Sequence, residues 1–294
     1  MIQLSNGKTI KYVVSSGSLA FDGKGWLWER PLVWFGLIKP ELFTVVLKSL
    51  TLEPITGNLK LWKWWTCIRL IPGGVVNKVG LTNKGFNWWC DKIAPTLDFQ
   101  RQQIVVSLFG TEKELIFMSQ VLNDYQITAI EVNVSCPNSG HKMDLAQAVV
   151  NTVMMVKRNT RHPVIIKVSV DQDYFAIAKG LVGVAEAISI NSVPWTTAFP
   201  NGEKSPLWKL EKMVGGGSGG VSGRPAQKHN WKAVEVLAKQ GCLPVIAPSI
   251  MEYGDMDKVR RLGAKAVSFG AIHLRTPCSP TTFVERENHE FSSK

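Results

Sequence analysis

No stretch of this 294-residue chain approaches the ~18 to 20 consecutive apolar residues that a membrane helix needs, so no membrane span is expected. The first residues, MIQLSNGKTIKYVVSSG, lack the long apolar core of a secretory signal. Cysteine is scarce: five residues, at 67, 90, 136, 242 and 278, are odd in number, widely spaced and never in a CxxC pair. That pattern signals neither a disulfide framework, a zinc site nor an iron–sulfur cluster, so no metal is expected and a reducing cytoplasm fits. There is no repeat of solenoid length, no long run of Lys or Arg, and no linker that would split the chain.

What remains is the composition of a globular protein, with 45% hydrophobic and 19% charged residues. A formal charge of +11 suits anionic partners, but its dispersal as single and paired residues equally suits a basic solvated surface. Eight β-rich apolar runs occur, at residues 12–16, 44–48, 104–109, 127–134, 164–170, 184–191, 243–248 and 265–270. Between the later ones lie helical stretches at 111–123, 144–158, 228–239 and 252–262. Strands that alternate with helices and are apolar on both faces predict a buried parallel sheet, and eight such units predict a closed (βα)8 barrel over residues 1–294 as a single domain. Two irregular segments, 51–103 with a short helix near 84–93 and 193–227, are expected to be insertions over the barrel mouth.

Chemistry in such barrels sits at the C-terminal strand ends. Three features fall at or near such positions. Residues 131–140, EVNVSCPNSG, place Cys136 between Asn133 and Asn138 where a strand would break into a loop; a buried strand-end cysteine is the plain alternative. Six glycines occupy the nine positions 215–223, ahead of a helix, which lets backbone N–H groups wrap a phosphate or makes a hinge. Lys167, amid Val164-Ile165-Ile166, needs an anion or a cavity unless it snorkels to solvent.

The decapeptide closely resembles the signature of the dihydroorotate dehydrogenases, flavin enzymes of the TIM-barrel fold. Further stretches resemble that family in chain order: Lys48-Ser49-Leu50-Thr51-Leu52-Glu53-Pro54, residues 76–85 from Val76 to Gly85, the Lys167 strand, Gly219-Gly220-Val221-Ser222-Gly223, and Ser268-Phe269-Gly270-Ala271. The resemblance extends from Ser15-Ser16-Gly17 to Gly270 and is nearest to the cytosolic class 1 enzymes, especially the subgroup that works with a separate iron–sulfur flavoprotein subunit. It implies oxidation of dihydroorotate to orotate in pyrimidine biosynthesis, with FMN as cofactor and Cys136 as base. It places Lys48, Asn77, Gly80, Leu81, Asn133, Asn138, Asn191 and Ser192 around the substrate. It gives the flavin Ser16, Gly17, Lys48, Ser49 and Lys167, with Gly219, Gly220, Ser222, Gly223, Ser249, Gly270 and Ala271 toward its phosphate. A homodimer or hetero-oligomer is implied, and no nucleic-acid partner.

The chain departs from the family pattern in three places: Ile55 stands where an arginine is usual, Leu59-Lys60-Leu61-Trp62 where a proline-arginine pair is usual, and Pro248-Ser249 where a glycine pair holds the phosphate. Proline has no N–H to give, so the cradle there is either rebuilt on Ser249 or weakened. Two other readings stay open at this level: a tRNA dihydrouridine synthase, also a flavin barrel with a Cys-Pro motif, and a non-catalytic barrel kept as a binding subunit. The Trp-rich stretch 62–65 suits a partner, a membrane interface or a lid packing its own aromatics.

Overall fold

The computed structural model describes residues 1–135, 146–210 and 218–292. Eight parallel strands close into a barrel in chain order: β1 (Tyr12–Val14), β2 (Thr44–Val46), β3 (Gln103–Leu108), β4 (Ala129–Asn133), β5 (Val164–Val168), β6 (Ala187–Ile190), β7 (Val245–Ala247) and β8 (Ala266–Phe269), which pairs back onto β1. The eight runs read from the sequence are these eight strands, most of them shortened at their ends and the third shifted one residue earlier; the first, for example, stops at Val14 and leaves Ser15 and Ser16 beyond the ladder.

Why the strands are apolar on both faces follows from what each face meets. Outward-facing Val14, Val45, Ile104, Val106, Ile130, Ile166, Ile188, Val245 and Val267 pack into one large core with the surrounding helices. Those helices include α1 (Glu112–Val121), α2 (Ala146–Arg158), α3 (Tyr174–Gly180), α4 (Arg224–Gln240), α5 (Tyr253–Arg261) and α6 (Ser279–Ser292). Local signals set their ends: Thr111 and Glu114 form a reciprocal capping box at α1, and α4 closes on Gly241 in the left-handed conformation that glycine adopts without strain. Helix α4 begins four residues earlier than its periodicity predicts, with Pro225 in the first turn, where its missing N–H costs nothing.

Inward-facing Val13, Val46, Val105, Ala129, Ile165, Ala187, Ile246 and Ala266 form a second, separate core. It is corked from below by Ile2, Leu4 and Ile10 of an antiparallel N-terminal hairpin, Ile2–Gln3 against Thr9–Ile10. One step of two residues further along each strand, the inward positions turn polar: Ser15, Lys48, Ser107, Glu131, Lys167, Ser189 and Ser268, with Pro248 the exception. The period of two in a strand puts all of them on the same face as the apolar layer beneath. The barrel interior is thus an apolar floor under a polar ring.

The segment 51–103 holds more order than a loop. Ile68–Ile71 and Gly74–Asn77 form a hairpin, and Gly220–Gly223 adds to it antiparallel, followed by Val193–Pro194. The end of the glycine cluster is therefore an extended strand in a four-stranded sheet that joins the two long segments. The helix expected near 84–93 is one short turn, Phe86–Trp88, continued by a wider π turn, Trp89–Ile93.

Candidate active site

A cavity of about 290 Å³ opens at the C-terminal ends of the barrel strands, near the lower end of the ~300–1,000 Å³ common for small-ligand sites. Its depth is lined by the apolar floor, Val13, Val46, Val105, Ile165 and Ile246, and its middle by Ser15, Lys48, Glu131, Lys167, Ser189, Pro248 and Ser268. The outer sheet supplies one wall through Ile68, Val75, Asn77, Pro194, Gly220, Ser222 and Gly223.

Side-chain hydrogen bonds link Ser107 of this ring to the polar residues just beyond it. Asn133 Nδ2 donates to Ser49 Oγ at 3.2 Å, and Ser49 Oγ lies 2.8 Å from Ser107 Oγ and 3.3 Å from Ser16 Oγ. Ser135 Oγ donates to Asn133 Oδ1 at 2.7 Å and accepts from Asn191 Nδ2 at 2.8 Å. Two amide side chains, at the end of β4 and just after β6, are thereby fixed in orientation across the intervening strand β5, with Asn191 Oδ1 meeting no protein donor among the described residues. The two lysines are each 8% exposed, which is rare for an ammonium and means that both heads are held in the cavity wall. Lys48 sits 5.8 Å from the Phe21 ring centroid, and Lys167 pairs with Glu131.

The structure brings most of the sequence-derived site residues to this one cavity. Ser16, Gly17, Lys48, Ser49, Asn77, Gly80, Leu81, Asn133, Lys167, Asn191, Ser192, Gly220, Ser222, Gly223, Ser249, Gly270 and Ala271 all line it. Gly219 does not; its carbonyl instead accepts the N–H of Trp195 at 2.9 Å. Cys136 and Asn138 lie outside the described residues, as do Gly215, Gly216 and Gly217. Ile55 is used in an antiparallel bridge with Asn83 and is not a lining residue, whereas Leu59 is.

A sequence profile of the family described as dihydroorotate dehydrogenase matches residues 36–272. The chain belongs to the dihydroorotate dehydrogenase family. It is 28% identical over 257 residues to the "dihydroorotate dehydrogenase B (NAD(+)), catalytic subunit" of Desulforamulus reducens, covering 83% of this chain and 80% of that protein. The protein of the same name from Desulforudis audaxviator is 32% identical over 248 residues, 80% of this chain and 76% of that one. The "putative dihydroorotate dehydrogenase A (fumarate)" of Aeropyrum pernix is 30% identical over 237 residues, covering 78% and 74%.

Against this dihydroorotate dehydrogenase background the turn after β7 stands out. Ser249 has φ +67°, in the left-handed region that favours glycine. Three side chains from α4 hold it there: Trp231 Nε1 donates to the Pro248 carbonyl at 3.1 Å, Gln227 Nε2 to the Ser249 carbonyl at 3.0 Å, and Asn230 Nδ2 to Ser249 Oγ at 3.0 Å. The backbone path of a glycine turn is thus kept without glycine. Among the described residues the backbone N–H groups of Ser249 and Gly270 meet no main-chain acceptor, and both face the cavity. A Cβ on Gly270 would come within 3.1 Å of Ser15 Oγ, so the bare backbone is what leaves room there.

Sequence reasoning missed Glu131, Ser107, Ser189, Asn230 and the rim tryptophans Trp26 and Trp28. Glu131 carried a usable signal, since a carboxylate inside an apolar run is as costly as the lysine that drew attention to Lys167. The serines carried none, because an inward serine reads like any other until the barrel closes around it.

At the rim Trp26 Nε1 donates to the Gly17 carbonyl at 2.9 Å and stacks on Trp28 at 5.7 Å, which leads on to Trp64 and Trp65. Next to Trp26, Glu29 is 1% exposed; Oε2 accepts the Trp26 N–H at 2.9 Å, and Oε1 has no hydrogen-bond partner among the described residues. Burial raises its pKa from 4.5 to about 7. A carboxyl raised on folding contributes stability that is fully present below about pH 4.5 and lost as the pH rises through about 7. The loss is on the order of 3 kcal/mol, from ~1.4 kcal/mol per pKa unit. Glu29→Gln should accordingly flatten the fall in melting temperature between pH 5 and pH 8, and parallel curves for the two proteins would remove Glu29 as its cause.

Proposed function

We propose that this chain oxidises dihydroorotate to orotate, with FMN held in the barrel mouth and Cys136 as the base. The observation that carries the reading is the convergence of two buried lysines and three amide side chains, Asn77, Asn133 and Asn191, on one cavity above an apolar floor. The amides match the alternating C=O and N–H edge of a pyrimidine, and Lys48 provides a cation for its carboxylate. A site built from such groups rejects analogues that leave them unpaired.

The residues present fit a flavin nucleotide. Lys167 would meet the ring system, and the unpartnered N–H groups of Ser249 and Gly270, with the bare backbone of Gly220 and Gly223, would hold the phosphate. When bound, FMN supplies the acceptor for the hydride that leaves C6 of the substrate. Cys136 would take the proton from C5. A thiol has an ordinary pKa of ~8.5, so the rate should rise with pH toward that value unless the site lowers it. Asn133, locked by Ser49 and Ser135, would keep the ring from turning while the proton leaves. The relatives named as B-type catalytic subunits support a partner that carries electrons onward, an iron–sulfur flavoprotein subunit, and pyrimidine biosynthesis as the setting.

Extraction after denaturation should release FMN at roughly one per chain, and orotate should perturb the visible spectrum of the purified protein. A colourless protein that takes up no added flavin would defeat the reading and leave a barrel without redox chemistry. Flavin with no response to orotate would keep the cofactor and remove the substrate.

A further inference from the structure

Two buried charges of opposite sign share the polar ring: Glu131 on β4 and Lys167 on β5, 3% and 8% exposed and 3.4 Å apart. The carboxylate is held from two further strands. Ser107 Oγ on β3 donates to Oε1 at 2.8 Å, and Ser189 Oγ on β6 donates to Oε2 at 3.1 Å. Four neighbouring strands thus each turn one polar side chain inward, two residues beyond the apolar Val105, Ala129, Ile165 and Ala187. Such an arrangement does little for stability, because desolvation offsets the attraction within a buried ion pair, and apolar side chains fill the layer below without it. Both charged residues line the cavity, so the pair acts on what the cavity binds.

We propose that Glu131 is a positioning residue: it fixes the Lys167 ammonium in the cavity wall and limits, by partial neutralisation, how strongly that ammonium favours negative charge on a bound flavin. The proposal rests on the flavin reading above. An ammonium on a flexible four-carbon stem has no orientation of its own, and a carboxylate pinned by two hydroxyls supplies one. Acting alone, the cation would draw electrons onto the flavin. The carboxylate beside it opposes this, so its removal should make the flavin easier to reduce.

The test is the two-electron midpoint potential of the bound flavin in Glu131→Gln, which keeps the shape and hydrogen-bonding reach of the side chain but removes its charge. The expected result is at least a tenfold shift toward the reduced form, about 30 mV for a two-electron couple. Glu131→Asp keeps the charge but withdraws it by one methylene, and should move the potential the same way by less. A Gln variant within about threefold of the wild-type equilibrium would overturn the proposal. Should the Gln variant not fold, an unchanged potential in the Asp variant would do the same. Wild-type protein that takes up no flavin defeats the cofactor reading and this proposal together, whereas flavin bound by both proteins at one potential defeats this proposal alone.

Discussion

Cys136→Ala should slow flavin reduction by dihydroorotate at least ~10²-fold, the usual consequence of removing a general base. Folding and orotate binding should stay near wild type, since the side chain is small and the ring is held by asparagines anchored elsewhere, Asn133 through Ser49 and Asn191 through Ser135. Cys136→Ser should keep some activity with its optimum displaced to higher pH, because a hydroxyl gives up its proton far less readily than a thiol. Stopped-flow bleaching of the flavin in the three proteins across pH measures all of this. An alanine variant within about threefold of wild type would remove the base and, with it, most of the substrate assignment.

The second large effect is on the scaffold. Gly223 has φ +92° and ψ −153°, a region that only glycine occupies without strain of ~1–3 kcal/mol. A Cβ there would also come within 2.7 Å of the Gly73 carbonyl and 2.8 Å of Gly74 Cα, both backbone atoms that cannot swing aside. Gly223→Ala should therefore lose on the order of 3 kcal/mol or more in denaturant unfolding. It should also weaken flavin retention, because the strand it ends forms a wall of the cavity. Gly254→Ala provides the contrast: in α5, with open space around its Cα, it should be neutral or stabilising by up to ~1 kcal/mol. A Gly223→Ala loss below about 1 kcal/mol would show that the sheet yields more easily than its contacts imply.

The barrel was legible because each strand must be apolar on both faces, which leaves short continuous apolar runs rather than alternation. Lys48, Asn133 and Asn191 were legible for the converse reason, as polar groups at the end of an apolar run, and Lys167 as a charge inside one; Asn77 was legible only through the family resemblance. The outer sheet was not: Gly220–Gly223 pairs with Gly74–Asn77, more than 140 residues earlier in the chain, and strand pairing over that distance leaves no local mark. Glycine clusters are ambiguous in the same way, since Gly220 and Gly223 serve a strand and a helix entry where a phosphate-wrapping loop or a hinge was expected. The departure at Pro248-Ser249 read as a phosphate cradle either rebuilt on Ser249 or weakened. In the fold it is a turn with its shape preserved by Gln227, Asn230 and Trp231, residues no local reading would connect to it.

The hairpin that corks the lower end of the barrel makes the interior a cul-de-sac. With Ile2, Leu4 and Ile10 packed under the apolar floor, the lower end of the barrel is filled by buried side chains among the described residues. Substrate-sized molecules then reach the lysines and amides through the mouth that Trp26 and Trp28 flank, and leave by the same door. Traffic is then a matter of queueing: a product must clear the entrance before the next small molecule can use it. Bulk becomes a filter as strict as affinity, since a molecule too wide for the rim is refused however well its functional groups would match those below.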